Sequence, residues 1–343
     1  MTPMPGGSGV TEPGGLVVKT RSTVVSRTFR ASLVAVALLL TTVGVATSPV
    51  EADTSPPEGL PGTVSADGLP TWQINGVVWS QVTVGNIVYA TGSFTKARPP
   101  GTSAGSAQEV AAKNIFAFDI RTGTRVSSFS HALSAQGRVI TASPDGTRVY
   151  VGGDFTSVDG QTRGHLAAFD TSSGTLVSSF RPSFNNQVRG ITVGNDLVYV
   201  GGNYTSANGR ARTRLAALDA NGVLTDWAPR ADDGVVRAMA LSPDGSRLIV
   251  GGAFTKLNGA PAYGMGSLST MTGQQMPWVA NQTIRDATST GAITSLRTDG
   301  SQIYGSGYAF GSGSKSTPPR TTRRRTSGHR PPTAPSPPPA RAN

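Results

Sequence analysis

Large apolar residues alternate with small or polar residues in short runs between residues 72 and 304, and each run ends at a turn signal. The run 197–200 is followed at once by Gly201 and Gly202, and then by a polar loop that contains Asn208-Gly209. A period of two is typical of a half-buried β-strand, whereas a helix repeats its apolar face about every 3.6 residues. The pattern therefore predicts many short strands joined by tight turns, and few helices.

One eight-residue pattern recurs along the chain. Val149-Tyr-Val-Gly-Gly-Asp-Phe-Thr156 is matched at 198–205 and 248–255 and less closely at 88–95, and a fifth copy begins at Ile303. The copies lie 49 or 50 residues apart, except that a Pro/Gly/Ser-rich insertion at 97–112 lengthens the first spacing to 61. Repeats of about 40–50 residues with Gly-marked turns are typical of β-propeller blades.

Each repeat is predicted to hold four antiparallel strands. In the third repeat these are residues 188–193, 197–200, 214–219 and 223–227. The predicted blades are residues 77–133, 134–184, 185–231 and 232–281. The expected fold class is all-β, a β-propeller with four complete blades and a partial fifth, within residues 71–314, as an open or truncated ring. Trp72 is predicted to occupy the strand-four position of a preceding blade, which would close the ring.

The repeats resemble two known kinds of propeller. Pro144-Asp-Gly146 ahead of Val149-Tyr-Val is similar to YVTN-type blades. Gly-Gly-x-Phe-Thr together with Leu166-Ala-Ala-Phe-Asp170 is closer to the delta-60-type repeats of exported bacterial proteins. The resemblance covers residues 72–314 and implies the fold and export. It implies little about function, because such propellers serve many roles.

Both ends of the chain differ from the repeats. Residues 1–52 are predicted to be a secretory signal, since four basic residues precede the apolar run 31–40 and Val50-Glu51-Ala52 offers a cleavage site. An uncleaved membrane anchor is the alternative, although its core is short for a span. Residues 53–70 are predicted to be a linker, and residues 315–343 a disordered basic tail. Out-of-frame translation would explain the tail's abrupt composition, and a native cell-wall-spanning tail is the alternative.

The formal charge of +11 lies mostly outside the repeats. Residues 315–343 hold seven Lys or Arg and no acid, whereas residues 53–314 hold 19 basic and 17 acidic residues. A nucleic-acid footprint needs basic residues concentrated on the domain itself. We therefore expect no nucleic-acid partner and no stable membrane span after signal cleavage. The expected location is extracellular or at the cell surface, with an extracellular glycan or protein as partner.

Residues that carry catalysis or bind metals are scarce. The chain has no Cys and three scattered His residues. Gly101-Thr-Ser103-Ala-Gly105 matches a nucleophile elbow in letters, but it lies in a low-complexity loop and not between a strand and a helix. Asp154 and Asp159 flank one loop, yet the corresponding residues of the next two repeats lack these carboxylates, which disfavours calcium. No catalytic residue, metal site or cofactor is predicted.

A column of arginines is the candidate binding site. Arg138, Arg189 and Arg237 each lie five residues before the first turn of their repeat, where Ser80 and Ala292 stand in the first and fifth repeats. Strand one is expected to be innermost, so these side chains would meet near one mouth of the channel. Guanidinium groups suit carboxylate or phosphate. The alternative is that each arginine pairs with an acid or a carbonyl of the next blade.

The absence of catalytic motifs favours a secreted, non-enzymatic binding or scaffold module, for cell-wall or environmental glycans. One alternative is a propeller enzyme, either a quinoprotein-like dehydrogenase or a lyase, since propellers often carry active sites at the channel mouth. Another is a truncated gene product without an independent function.

Overall fold

The computed structural model describes residues 70–282, 291–309 and 324–326, all within a unit that spans Asp67–Asn343. The predicted signal, most of the predicted linker and most of the basic tail lie outside the described residues. The described part is all-β, with one short 3₁₀ helix, and none of its helices is long and apolar enough to span a membrane.

The strands form five successive repeat units. In chain order the elements are β1 (Gln73–Ile74), β2 (Val77–Val84), β3 (Ile87–Ser93), β4 (Lys96–Arg98), β5 (Val110–Ala111) and β6 (Ile115–Asp119) in unit 1; β7 (Gly137–Ala142), β8 (Arg148–Gly153), β9 (Ser157–Val158), β10 (Gln161–Thr162) and β11 (Leu166–Asp170) in unit 2; β12 (Val188–Gly194), β13 (Leu197–Gly202), β14 (Ser206–Ala207), β15 (Arg210–Ala211) and β16 (Leu215–Asp219) in unit 3; β17 (Val236–Leu241), β18 (Arg247–Gly252), β19 (Lys256–Leu257), β20 (Ala260–Pro261), β21 (Met265–Ser269), β22 (Gln275–Met276) and the 3₁₀ helix Val279–Gln282 in unit 4; and β23 (Gly291–Thr298), β24 (Ile303–Ala309) and β25 (Arg324–Thr326) in unit 5.

The main sheet joins three antiparallel strands in units 1, 2, 3 and 5 and four in unit 4, and in each the predicted strand two lies between strands one and three. Strand one of each unit contacts strand one of the next, in the order β2, β7, β12, β17 and β23. The apolar cores lie between units. Tyr150 of unit 2 is buried with Val198 and Val200 of unit 3, and Tyr199 of unit 3 with Leu248 and Val250 of unit 4. Each unit therefore covers its neighbour's sheet face, which is the packing expected of stacked repeats.

The start of each of units 1 to 4 is fixed by one polar side chain. Asn185 accepts hydrogen bonds at Oδ1 from the backbone N–H groups of Thr205 and Ser206, at 2.9 and 3.0 Å. Asn75 and Ser134 make the same contacts in units 1 and 2, and Asp233 makes them in unit 4. The Phe-Thr or Tyr-Thr turn of each repeat is thereby tied to the segment that enters its own unit.

The fourth strand is shorter than the sequence predicts. In units 1 to 3 it is reduced to single antiparallel bridges, such as Leu218 with Leu224, whereas unit 4 has a two-residue strand, β22. The chain leaves the sheet early because an aromatic residue turns into the next interface. Phe129 contacts Tyr89 of unit 1 and Phe169 of unit 2 at ring-centroid distances of 5.0 and 5.2 Å.

The segment before unit 1 packs on that unit, and unit 5 has a third strand. Trp72 packs with Phe94 and Phe116 of unit 1, its ring 6.0 Å from that of Phe116, and β1 pairs with β4. The segment is thus packed on unit 1 much as Phe129 is packed on unit 2. In unit 5 the sequence predicted no third strand, but the structure pairs β24 with β25, three residues of the basic tail. Apolar alternation could not indicate this strand, because its residues are Arg, Arg and Thr.

Candidate functional site

The three predicted arginines occupy β-bulges. In strands β7, β12 and β17 the pairing register skips one residue, and the skipped residue is Arg138, Arg189 or Arg237. A bulge leaves its extra residue out of the ladder and re-aims its side chain. The second glycine of each Gly-Gly pair faces this point, and a Cβ on Gly202 would overlap the carbonyl oxygen of Gln187. The second glycine of the pair is therefore a backbone requirement of the bulge.

The same register corrects the predicted members of the column in units 1 and 5. The bulge residues there are Trp79 and Thr294, and not Ser80 and Ala292. Counting back from the turn fails in these two units, because the position of the bulge depends on how strands one and two pair. The bulge column thus reads Trp, Arg, Arg, Arg, Thr along the units.

A polar network holds the first two members of the column. Arg138 donates from Nη2 to Asp154 Oδ2 at 2.8 Å and from Nε to Asp154 Oδ1 at 3.2 Å. Gln136 donates to the same carboxylate at 2.8 Å and accepts a 3.0 Å hydrogen bond from the indole Nε1 of Trp79. Trp79 is nevertheless 51% exposed. An aromatic ring is therefore held at the surface beside a fixed guanidinium.

The other two arginines have no carboxylate of their own. Arg189 donates from Nε to the side-chain oxygen of Gln187 at 2.8 Å. The Nε of Arg237 is buried and has no hydrogen-bond partner among the described residues. The positions that correspond to Asp154 are Asn203 and Ala253. The alternative, that each arginine pairs with an acid or a carbonyl of the next blade, does not hold for Arg138, whose partner Asp154 lies in the same unit.

The charges of the neighbouring side chains act on Arg189. Burial lowers the pKa of Arg189, and the positive charges of Arg138 and Arg237 lower it further, while Asp154 opposes them. Burial raises the pKa of Asp154, but hydrogen bonds from Arg138 and Gln136 outweigh it, and the net shift is below the ordinary value. The cluster holds three guanidinium charges and one carboxylate in part-buried surroundings, a net excess of positive charge.

Other residues singled out by the sequence have structural contacts. Ser103 lies in a loop of turns, where its carbonyl accepts from Ser106 N–H, without the strand and helix of a nucleophile elbow. Asp170 caps its own turn by accepting from the N–H groups of Ser172 and Ser173. No group of three His, Cys, Asp or Glu within the described residues could hold a metal ion.

Asp159 is part of a contact that the sequence did not reveal. In units 3 and 4 the equivalent Asn208 and Asn258 donate from Nδ2 to a turn carbonyl, Gly222 O or Gly273 O. The carboxylate of Asp159 has no such donor, and the ring of His131 bridges it to the turn carbonyl instead. Nδ1 lies 2.6 Å from Asp159 Oδ2, and Nε2 lies 2.6 Å from Gly174 O. Both ring nitrogens face acceptors, so both contacts are hydrogen bonds only when the ring carries two protons.

The family with the description "Outer membrane protein assembly factor BamB" matches residues 111–310, which is more than half of the chain. The chain belongs to this family. BamB-type proteins are β-propeller repeat proteins associated with the bacterial envelope, and the family has quinoprotein dehydrogenase-like members. No curated protein matches the chain. One similar solved structure is the computationally designed Ika4 protein, 14% identical over 52% of this chain and 86% of that chain, with a TM-score of 0.34. An overlap this loose supports no conclusion.

The quinoprotein-like members raise the question whether this BamB-type chain could hold a metal-bound quinone. Such a cofactor needs cationic side chains for its acidic groups and several oxygen ligands for a divalent cation. The three arginines could meet the first need. The second is not met, because the described residues contain no group of three metal-ligating side chains. The described residues therefore do not fit a metal-held quinone.

Proposed function

We propose that this BamB-type protein is an exported envelope binding module, a β-propeller with four complete blades and a partial fifth, that binds an acidic glycan at Arg138, Arg189 and Arg237. The observation that carries the proposal is that Arg189 and Arg237 project from bulges without a carboxylate of their own. A structural ion-pair network would pair each guanidinium with an acid, whereas this column leaves net positive charge for a ligand to neutralise.

The ligand chemistry follows from the donor set. A guanidinium presents a planar fork of N–H donors that matches the two oxygens of a carboxylate. Because Arg138 is already engaged by Asp154, Arg189 and Arg237 would make the direct contacts, with Arg138 and Gln136 as their fixed neighbours. Trp79 adds an exposed ring in the same column, which offers an apolar surface for the face of a sugar.

Calorimetry tests the proposal with polygalacturonate as an acidic glycan and citrate as a small carboxylate. We expect Arg189→Gln with Arg237→Gln to weaken binding of both probes by at least about tenfold, since each lost charge-assisted contact contributes about 1.5–3 kcal/mol. Binding to the unmodified protein should fall with added salt. Arg121→Gln is the matched control, because Arg121 is exposed and pairs with Asp119 at a turn.

Thermal melting separates this proposal from a purely structural role. Removing two charges that repel each other and Arg138 should leave the melting temperature of the double variant unchanged or higher. Unchanged probe binding together with a lower melting temperature would show that the arginines hold the units together and do not bind a ligand.

A further inference from the structure

Unit 2 contains a buried arginine that is not part of the bulge column. Arg163 lies between β10 and β11 and is 1% exposed. Its Nη1 donates to the carbonyl of Thr162 at 2.7 Å, but its Nε and Nη2 are buried and have no hydrogen-bond partner among the described residues. These two N–H groups form one edge of the planar guanidinium, which can bind two oxygens of an oxyanion at once. A buried charge is costly unless it is paired, so this edge of Arg163 calls for an acidic partner.

The equivalent arginine of unit 3 has such partners. Arg212 occupies the same position, because both arginines donate their backbone N–H to the threonine carbonyl of the Phe-Thr or Tyr-Thr turn. The Nη2 of Arg212 donates to the carbonyl of Thr225 at 2.8 Å. Burial and the charge of Arg210 lower the pKa of Arg212, whereas the carboxylate of Asp226 raises it. A carbonyl and a carboxylate of its own unit thus stabilise the charge of Arg212.

Arg163 has neither of these partners. The segment that follows the third strand is longer in unit 2 than in unit 3, and Ser178 and Ser179 stand where unit 3 has Asp226. The Ser178 carbonyl accepts a 2.8 Å hydrogen bond from Nε of the exposed Arg181. Burial lowers the pKa of Arg163, and the positive charge of Arg181 lowers it further. A second guanidinium therefore acts on Arg163 where unit 3 supplies a carboxylate.

We propose that Arg163 and Arg181 bind one phosphate group, either inorganic phosphate or a phosphate monoester. The Nε and Nη2 of Arg163 bind two of its oxygens, and the exposed side chain of Arg181 leaves the Ser178 carbonyl to admit the ligand and bind a third oxygen. A phosphate dianion matches two guanidinium charges, whereas a carboxylate carries one charge and two oxygens.

The site belongs to one unit and not to the repeat. Ala112 and Ala262 stand in units 1 and 4 where unit 2 has Arg163. Arg181 directly follows the aromatic residue that leaves the sheet, and Ala228 stands at that place in unit 3. Among units 1 to 4, unit 2 alone therefore has both arginines, and none of the bulge arginines takes part.

Calorimetric titration and thermal melting of the full chain with inorganic phosphate test the proposal, with chloride at the same ionic strength as the reference. We expect phosphate at about a hundredfold excess over its Kd to raise the melting temperature by roughly 5–10 °C. Arg163→Met should weaken phosphate binding at least about tenfold, because it removes two charge-assisted hydrogen bonds. Arg181→Ala changes an exposed residue, so it should weaken phosphate binding without disturbing the fold, and it decides the outcome if Arg163→Met does not fold.

Arg212→Met is the matched control, since it removes the equivalent buried arginine that already has a carbonyl partner, and it should bind phosphate like the unmodified protein. Arg189→Gln with Arg237→Gln should also retain phosphate binding, which separates this site from the bulge column. Glycerol phosphate distinguishes the two sources of the group, because tighter binding than that of inorganic phosphate indicates a monoester and weaker binding indicates the free ion. Unmodified protein that binds neither probe would overturn the proposal, and so would an unchanged phosphate affinity in Arg181→Ala.

Discussion

Replacing His131 with Ala should destabilise the protein more than its position near a turn would indicate. The ring is only 10% exposed, and its centroid lies 4.9 Å from that of Phe129 and 4.6 Å from that of Phe169. It also bridges Asp159 and the carbonyl of Gly174. With both ring nitrogens protonated, the substitution removes two hydrogen bonds and two aromatic contacts at the interface of units 1 and 2.

The expected cost can be worked from these contacts. Each hydrogen bond contributes about 1 kcal/mol net, and the aromatic pairs together contribute about 1 kcal/mol beyond area burial. The sum is about 3 kcal/mol of unfolding free energy, which corresponds to a fall of roughly 6–12 °C in melting temperature for a domain of this size. Differential scanning calorimetry of the unmodified protein and His131→Ala measures this difference directly.

Unit 4 suggests a double substitution that should restore the stability lost in His131→Ala. It has a turn of the same length as unit 2 and uses Pro229 and Asn258 where unit 2 uses His131 and Asp159. Combining His131→Pro with Asp159→Asn copies that arrangement, in which the amide donates to the turn carbonyl without a bridging ring. We expect the double variant to regain at least half of the lost melting temperature. The reasoning is wrong if His131→Ala melts within about 2 °C of the unmodified protein, or if the double variant is no more stable than the single one.

Two further predictions concern the turns and the bulges. Hydrogen bonds from Ser172 and Ser173 lower the pKa of Asp170 to about 2, and those from Ser242 and Ser246 lower the pKa of Asp244 to about 2. An unfolded Asp has a pKa of about 3.9, so the stability that these turns contribute is present above that pH and is lost as the pH falls toward 2. Replacing both residues, Asp170→Asn with Asp244→Asn, should therefore flatten the fall in melting temperature between about pH 5 and pH 2.5. An unchanged slope would contradict this. Gly202→Ala should cost at least about 3 kcal/mol in urea unfolding, since its Cβ would overlap the Gln187 carbonyl. Gly209→Asn should be nearly neutral, because that position has a φ of +76° with open space around it, and equal losses in both variants would refute the bulge argument.

The repeat and its first three strands were predictable because they depend on local signals. Alternating apolar residues, glycine pairs and turn residues such as Asn221-Gly222 act over a few positions, and they recur with a constant spacing. The fourth strand was predicted too long because its length is decided by tertiary packing. Phe129 and its equivalents leave the sheet to fill the interface with the next unit, and nothing in the residues 125–129 themselves shows that competition.

The candidate site was predictable in part for the same reason. The three arginines could be aligned from their distance to a turn, but the bulge itself depends on how two strands pair. Trp79 was therefore missed and Ser80 was placed in the column instead. The contact between Asp159 and His131 was missed because it joins residues 28 positions apart through a turn carbonyl of a third segment.

The fold constrains the side chain of the bulge residue less than it constrains the other residues of the repeat. The glycine opposite each bulge and the polar residue that opens each unit have backbone contacts that fix them, and the apolar residues on either side fill the interfaces between units. The skipped residue belongs to neither the ladder nor the core, so its side chain can vary from Trp79 through three arginines to Thr294 at little cost to folding. The bulge position recurs in every repeat without a fixed side chain, so the side chains that bind a ligand there can differ between proteins of the same fold. In this chain three arginines occupy the position in successive units, and we propose that a bound acidic group would neutralise their excess positive charge.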